Sequence, residues 1–279
     1  MATAFETLRE YLAFPFVQNA LLAGTLVALA ASLLGVTLVL RRLSYIGDGL
    51  SHVAFGTMAV AGALNFADRL SLSIPATAAC AVVLLRSGRG ARVRGDAALA
   101  MLSVGAMALG YLLMNLFPGS SNVSGDVCTT LFGSTSVLTL SPSDVRLCAA
   151  LSLVVALFFA VFRNRLFEVV FDPDFARACG TRTSFWETVL AILSAVVVVI
   201  AMRLAGTLLV SALLVFPAVG AMRVCRSFRT TLLCSAAAGI ACAVAGILVS
   251  ILAGTPVGST IVAADVVALA VLSLLGRKK

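Results

Sequence analysis

Nine apolar stretches of roughly twenty residues follow one another along the chain, near 17–40, 44–66, 70–85, 97–117, 145–162, 185–202, 204–222, 230–253 and 258–275. A hydrocarbon layer about 30 Å thick is crossed by about 20 residues of helix, and an isolated segment satisfies its own backbone polar groups there only as a helix. The pattern predicts an all-α, polytopic membrane protein of about nine spans, or eight if the third or seventh segment is re-entrant. With 61% hydrophobic and 11% charged residues over 279 positions, no stretch is left for a separate soluble domain. Residues 1–279 read as one membrane domain. The N-terminus carries Glu6, Arg9 and Glu10 ahead of its apolar run, unlike the basic start and small-residue cleavage site of a secretory signal, so it is expected to stay in the mature chain.

Net charge is +8, and in a membrane chain its distribution sets topology rather than pointing to nucleic acid. Arg41 and Arg42, Arg86 to Arg94, Arg163 to Arg182, Arg223 to Arg229, and Arg277 with Lys278 and Lys279 fall between alternate spans and hold 16 of the 20 basic residues. Arg9, Arg69, Arg146 and Arg203 fall on the other side. The positive-inside rule then puts the C-terminus in the cytoplasm and the N-terminus outside. Residues 118–143 are too polar at their start to span, and Val127 to Leu140 reads as a re-entrant piece of an outer loop. Ser141-Pro142-Ser143-Asp144 supplies turn and cap residues before the fifth span. Seven cysteines include no C-x-x-C pair, so they read as small buried hydrophobes.

Three ionisable groups fall inside the spans: Asp48, His52 and Asp265. Counted from Arg42 at 1.5 Å per residue, Asp48 and His52 lie about 9 and 15 Å from the cytoplasmic edge, and Asp265 lies about 18 Å from Arg277. An acid at mid-helix costs about 2.5–3.5 kcal/mol on insertion scales, so such groups face a cavity or a partner and mark a pathway. Asp48 and His52, four residues apart, share a helix face. A carboxylate and an imidazole suit a first-row divalent metal better than sodium or a sugar. Two ligands leave the shell open, to be closed by Asp265 or by a second copy of the pair across a homodimer. The plainer reading of His52 is a histidine bonded to Asp48 only to satisfy both groups. Asp265, isolated in sequence, has the weaker case, since a Ser, Thr or backbone group on a neighbouring span would also satisfy it.

The only lysines are Lys278 and Lys279, so the chain has no G-x-x-x-x-G-K-[ST] phosphate loop of its own. Its energy comes from a partner ATPase or from an ion gradient. The longest cytoplasmic loop, 163–184, carries Asp172-Pro173-Asp174-Phe175-Ala176-Arg177 and, beyond them, Gly180. Asp172 fits an N-cap, Pro173 the first helical position and Gly180 the stop. That makes a short self-capped helix with two aromatics, Phe171 and Phe175, suited to docking; a connector lying on the membrane surface is the bland alternative.

Leu38 to Gly56, LVLRRLSYIGDGLSHVAFG, closely resembles the R-R-x-S-x-x-G-D-x-L-S-H segment of the permease subunits of metal-ion ABC transporters, the zinc, manganese and iron uptake family. Further matches follow in order: Arg94-Gly95-Asp96-Ala97-Ala98, Leu131-Phe132-Gly133-Ser134, the Asp172 to Gly180 loop, Arg203 to Leu214 with Pro217 beyond, and Gly254-Thr255-Pro256-Val257-Gly258. The resemblance spans essentially the whole chain. It implies a type II-like ABC importer permease in a bacterial cytoplasmic membrane, not an enzyme, with Asp48 and His52 on the family's acid and histidine. It further implies that the 172–180 loop is the coupling helix, that ATP is hydrolysed by a separate cytoplasmic subunit, that an extracytoplasmic metal-binding protein delivers the ion, and that the permease is a homodimer or a pair with a relative. No permanent cofactor is expected. Zinc is the expected cargo, with manganese or iron as alternatives. A gradient-driven carrier using Asp48 and Asp265 is the competing class.

Overall fold

The computed structural model describes residues 10–64, 69–87, 95–117 and 140–276. Among them there is no strand, and nine long helices and one short one follow in order: α1 (Pro15–Leu40), α2 (Ile46–Ala63), α3 (Arg69–Ser87), α4 (Gly95–Leu116), α5 (Pro142–Phe171), α6 (Pro173–Ala178), α7 (Thr183–Ala205), α8 (Thr207–Val224), α9 (Phe228–Ala253) and α10 (Val257–Gly276). Each of the nine long helices overlaps one of the nine predicted runs. Seven of them are long and apolar enough to cross a membrane by length and composition alone, and α3 holds a shorter apolar stretch, Leu70–Leu84. The exception is α2, which carries Asp48 and His52 within its 18 residues. All of the predicted re-entrant piece but Leu140 lies outside the described residues, as do the Leu131–Ser134 motif, Arg94 and the basic C-terminal tail.

The predicted boundaries shift in one informative place. Where the sequence places the fifth span at 145–162 and a loop after it, α5 runs on without a break to Phe171. Its 30 residues are about 45 Å long, well beyond a 30 Å hydrocarbon slab. Arg163 and Arg165 thus extend the helix past the apolar layer instead of ending it, because charge ends a span but not a hydrogen-bond ladder. At its start Ser141 and Asp144 form the reciprocal capping box that their spacing suggests.

Burial ranks the helices. In α1, α7 and α8 more than half of the apolar window is buried by other helices, whereas in α4, α5 and α10 most of it faces outward. At the centre, α1 packs against α5, α8 and α9, and α8 also touches α2 and α10; α2 packs on α3 and α4, and α3 on α7. Glycine permits the closest crossings. A Cβ on Gly35 would collide with the Leu214 carbonyl, and one on Gly47 with the Leu214 side chain. Leu214 therefore locks α8 in register with both α1 and α2, and this sets which residues of α8 meet Asp48.

Candidate metal centre

Asp48 sits in the first turn of α2, after Tyr45 as N-cap, where the helix dipole favours a negative charge. His52 follows one turn on, and its Nε2 lies 3.6 Å from Asp48 Oδ1. That is too long for a hydrogen bond. It does suit a shared ion: two donors each about 2.1 Å from a tetrahedral metal are roughly 3.4 Å apart. The Asp48 side chain is 42% exposed and that of His52 16%, so the carboxylate faces the open side with the imidazole behind it. His52 Nδ1 is buried with no hydrogen-bond partner among the described residues.

A third group, unassigned in the sequence reading, joins them from α8. Ser211 Oγ lies 3.2 Å from Asp48 Oδ1 and 3.1 Å from the Thr207 carbonyl oxygen. A hydroxyl has one proton to donate, so it serves these two acceptors in turn. Oδ1 is steadied without being saturated and can still turn to a cation. The signal was present in the sequence: Thr207 and Ser211 are four apart and are the only hydroxyl residues in the apolar helix α8. What the spacing could not supply was the face of α8 turned toward α2.

Two cavities meet at Asp48. One, of about 630 Å³, runs between α2, α8 and α10 and is lined by Tyr45, Asp48, Ser211, Phe216 and Ser259 among mostly apolar neighbours. The other, of about 410 Å³, lies between α2 and α4, with Tyr45, Asp48, Gly49 and Ser103 on its wall. Asp48 is thus the acid reached from both. Asp265 belongs to neither wall. It lies in α10, 1% exposed, with both carboxylate oxygens lacking a hydrogen-bond partner among the described residues. Next to it Cys242 of α9 donates through Sγ to the Ala264 carbonyl at 3.8 Å. No cluster of three or more His, Cys, Asp or Glu side chains exists among the described residues. The chain therefore brings Asp48 and His52 together and leaves Asp265 apart.

The 172–180 segment forms the helix its residues suggest. Asp172 caps α6 by accepting from the N–H groups of Asp174 and Phe175. Arg177 pairs with Asp174 at 2.6 Å. The end is a Schellman motif: Gly180 takes φ +83°, its N–H donates to Arg177 and that of Thr181 to Ala176. Ala176 alone is buried, while Phe171 and Phe175 stand 58% and 61% exposed.

Residues 13–276 match the model of the ABC 3 transport family. The manganese import system permease protein ScaB of Streptococcus gordonii is 28% identical over 252 residues, covering 89% of this chain and 87% of that protein. The chelated iron transport system membrane protein YfeD of Yersinia pestis is 27% identical over 251 residues, covering 90% and 82%. The solved structure of PsaBC from Streptococcus pneumoniae in complex with a Fab superposes with a TM-score of 0.84 at 25% identity, over 96% of this chain and 94% of that one. With the family model matched over almost its full length, the chain belongs to the ABC 3 transport family.

Proposed function

We propose that this chain is the membrane-spanning subunit of an ATP-driven importer of divalent first-row metal ions, and that Asp48 and His52 hold the ion in transit. The observation that carries the reading is the 3.6 Å separation of their donor atoms, with Asp48 on the wall of two cavities. Two such donors are half of a tetrahedral set. A second copy of the chain, meeting the first across the exposed side of Asp48 and Tyr45, supplies the other half. Asp265 is left out of the ligand set because it is buried in α10 and forms no cluster with the Asp48–His52 pair among the described residues. Zinc, the sequence expectation, gives way here to manganese as the principal cargo: relatives are named for manganese and iron transport, and a carboxylate with an imidazole and no thiolate suits those ions as well as zinc. Energy comes from a separate cytoplasmic ATPase docked on α6, whose exposed Phe175 and self-contained caps suit insertion into a groove. An extracytoplasmic metal-binding protein presents the ion. The orientation that follows has α6 and the C-terminus in the cytoplasm.

The test is uptake of labelled manganese, iron and zinc by vesicles holding this chain with its ATPase and binding protein. ATP-dependent uptake led by manganese is expected, falling at least tenfold in Asp48→Ala and in His52→Ala with assembly intact. Full uptake by His52→Ala would remove the ligand assignment. Uptake driven by an ion gradient without ATP would replace the importer by a secondary carrier.

A further inference from the structure

At the end of α1 remote from Pro15, one half-buried arginine ties together both flanks of the docking helix. Arg41 is the C-cap of α1. Its Nη2 donates to the Val169 carbonyl oxygen at 3.0 Å and to Glu187 Oε1 at 3.3 Å. The side chains of Arg41 and Glu187 are 12% and 6% exposed. Val169 lies three residues before Asp172, in the helix that enters α6; Glu187 lies in the second turn of α7, the helix that leaves it. Arg41 itself is seven residues before Asp48, across a turn in which Arg42 adopts φ +60° and Leu43 N–H bonds back to Leu38. A guanidinium fork can hold a carbonyl and a carboxylate together in a fixed plane, which an ammonium does less well. Desolvated charge pairs of this kind cost much to break, so groups joined by one move together.

We infer that the Arg41–Glu187–Val169 clamp is a coupling device: it transmits displacement of the docking helix to the α1–α2 turn and so to Asp48. This rests on the reading of the chain as an ATP-driven importer with α6 as the docking helix. Arg41 and Glu187 are positioning residues and touch no metal. Losing the clamp leaves the ATPase able to bind and cycle while Asp48 no longer follows.

The experiment uses the full complex in proteoliposomes and measures metal taken up per ATP hydrolysed, for wild type, Glu187→Gln and Arg41→Lys. For assembled Glu187→Gln, the ratio should fall at least fivefold while ATP hydrolysis stays above half of the wild-type rate. Arg41→Lys, which keeps the charge and loses the fork, should lower the ratio at least twofold. A role confined to folding would change uptake and hydrolysis in parallel, and an unchanged ratio in either assembled variant overturns the inference. Should Glu187→Gln fail to assemble, Arg41→Lys decides alone by the same criterion. Wild-type uptake without ATP would instead bring down the importer reading, and this inference with it.

Discussion

Ser211 shows how much one hydroxyl can decide. A hydrogen bond to a charged group contributes about 1.5–3 kcal/mol, less where the proton is shared and the acceptor half exposed, as here with Thr207 and Asp48. Ser211→Ala is expected to cost about 1 kcal/mol of metal binding, or about fivefold. The metal concentration giving half-maximal uptake should rise by that factor with the maximal rate little changed; an unchanged value would mean that the hydroxyl stays on Thr207. Arg42 is the opposite case, a side chain in a backbone conformation that suits glycine, at φ +60°. That conformation costs a non-glycine residue about 1–2 kcal/mol, partly offset by the greater freedom glycine has when unfolded. Arg42→Gly should therefore raise the thermal unfolding midpoint in detergent, by the equivalent of about 0.5–1 kcal/mol. A lowered midpoint would show that the Arg42 side chain itself contributes more than that.

Among the elements, α6 is the one most exposed to a single change. Six residues cannot sustain a helix by propagation alone, and only Ala176 is buried against the rest. Its caps hold it. Asp172→Ala removes the acceptor of two N–H groups and should cost about 1 kcal/mol, lowering the yield of ATPase co-purified with the chain about fivefold. Asp172→Asn keeps an acceptor oxygen and should co-purify normally. Equal yields from both variants would show that docking does not depend on a preformed α6. This element was legible residue by residue, since Asp172, Pro173 and Gly180 each hold the place their chemistry favours. The extent of α5 was not, because the arginines at 163 and 165 end an apolar run without ending a helix.

For the whole molecule, orientation is the property that a membrane chain wears in its charges. Cys179, exposed at the end of α6, reports on it directly. With Cys179 as the sole remaining cysteine, a membrane-impermeant maleimide should leave intact cells unlabelled and should label once the membrane is opened. Labelling of intact cells would invert the topology and put α6 out of reach of a cytoplasmic ATPase. Burial adds a second global feature. The outward faces of α4, α5 and α10 are apolar, with Met101, Leu109, Leu153, Leu157 and Val267 each more than half exposed. In hydrocarbon that carries no penalty, so exposure there marks contact with lipid or with a second copy rather than an unstable fold.

The sequence by itself determined the class of fold, the nine helical runs, the caps at Ser141 and Asp172, and the pairing of Asp48 with His52. All of these depend on interactions within one helix or between a helix and its solvent. It did not determine that Ser211 faces Asp48, that Asp265 is sealed away from the pair, or that Arg41 grips both flanks of α6. Those follow from which faces of distant helices meet. In this molecule the meetings are set by close contacts such as Gly35 and Gly47 against Leu214. Apolar side chains satisfy the membrane equally well at any rotation of the helix, so hydropathy alone does not choose one; the shape of the packed interface does.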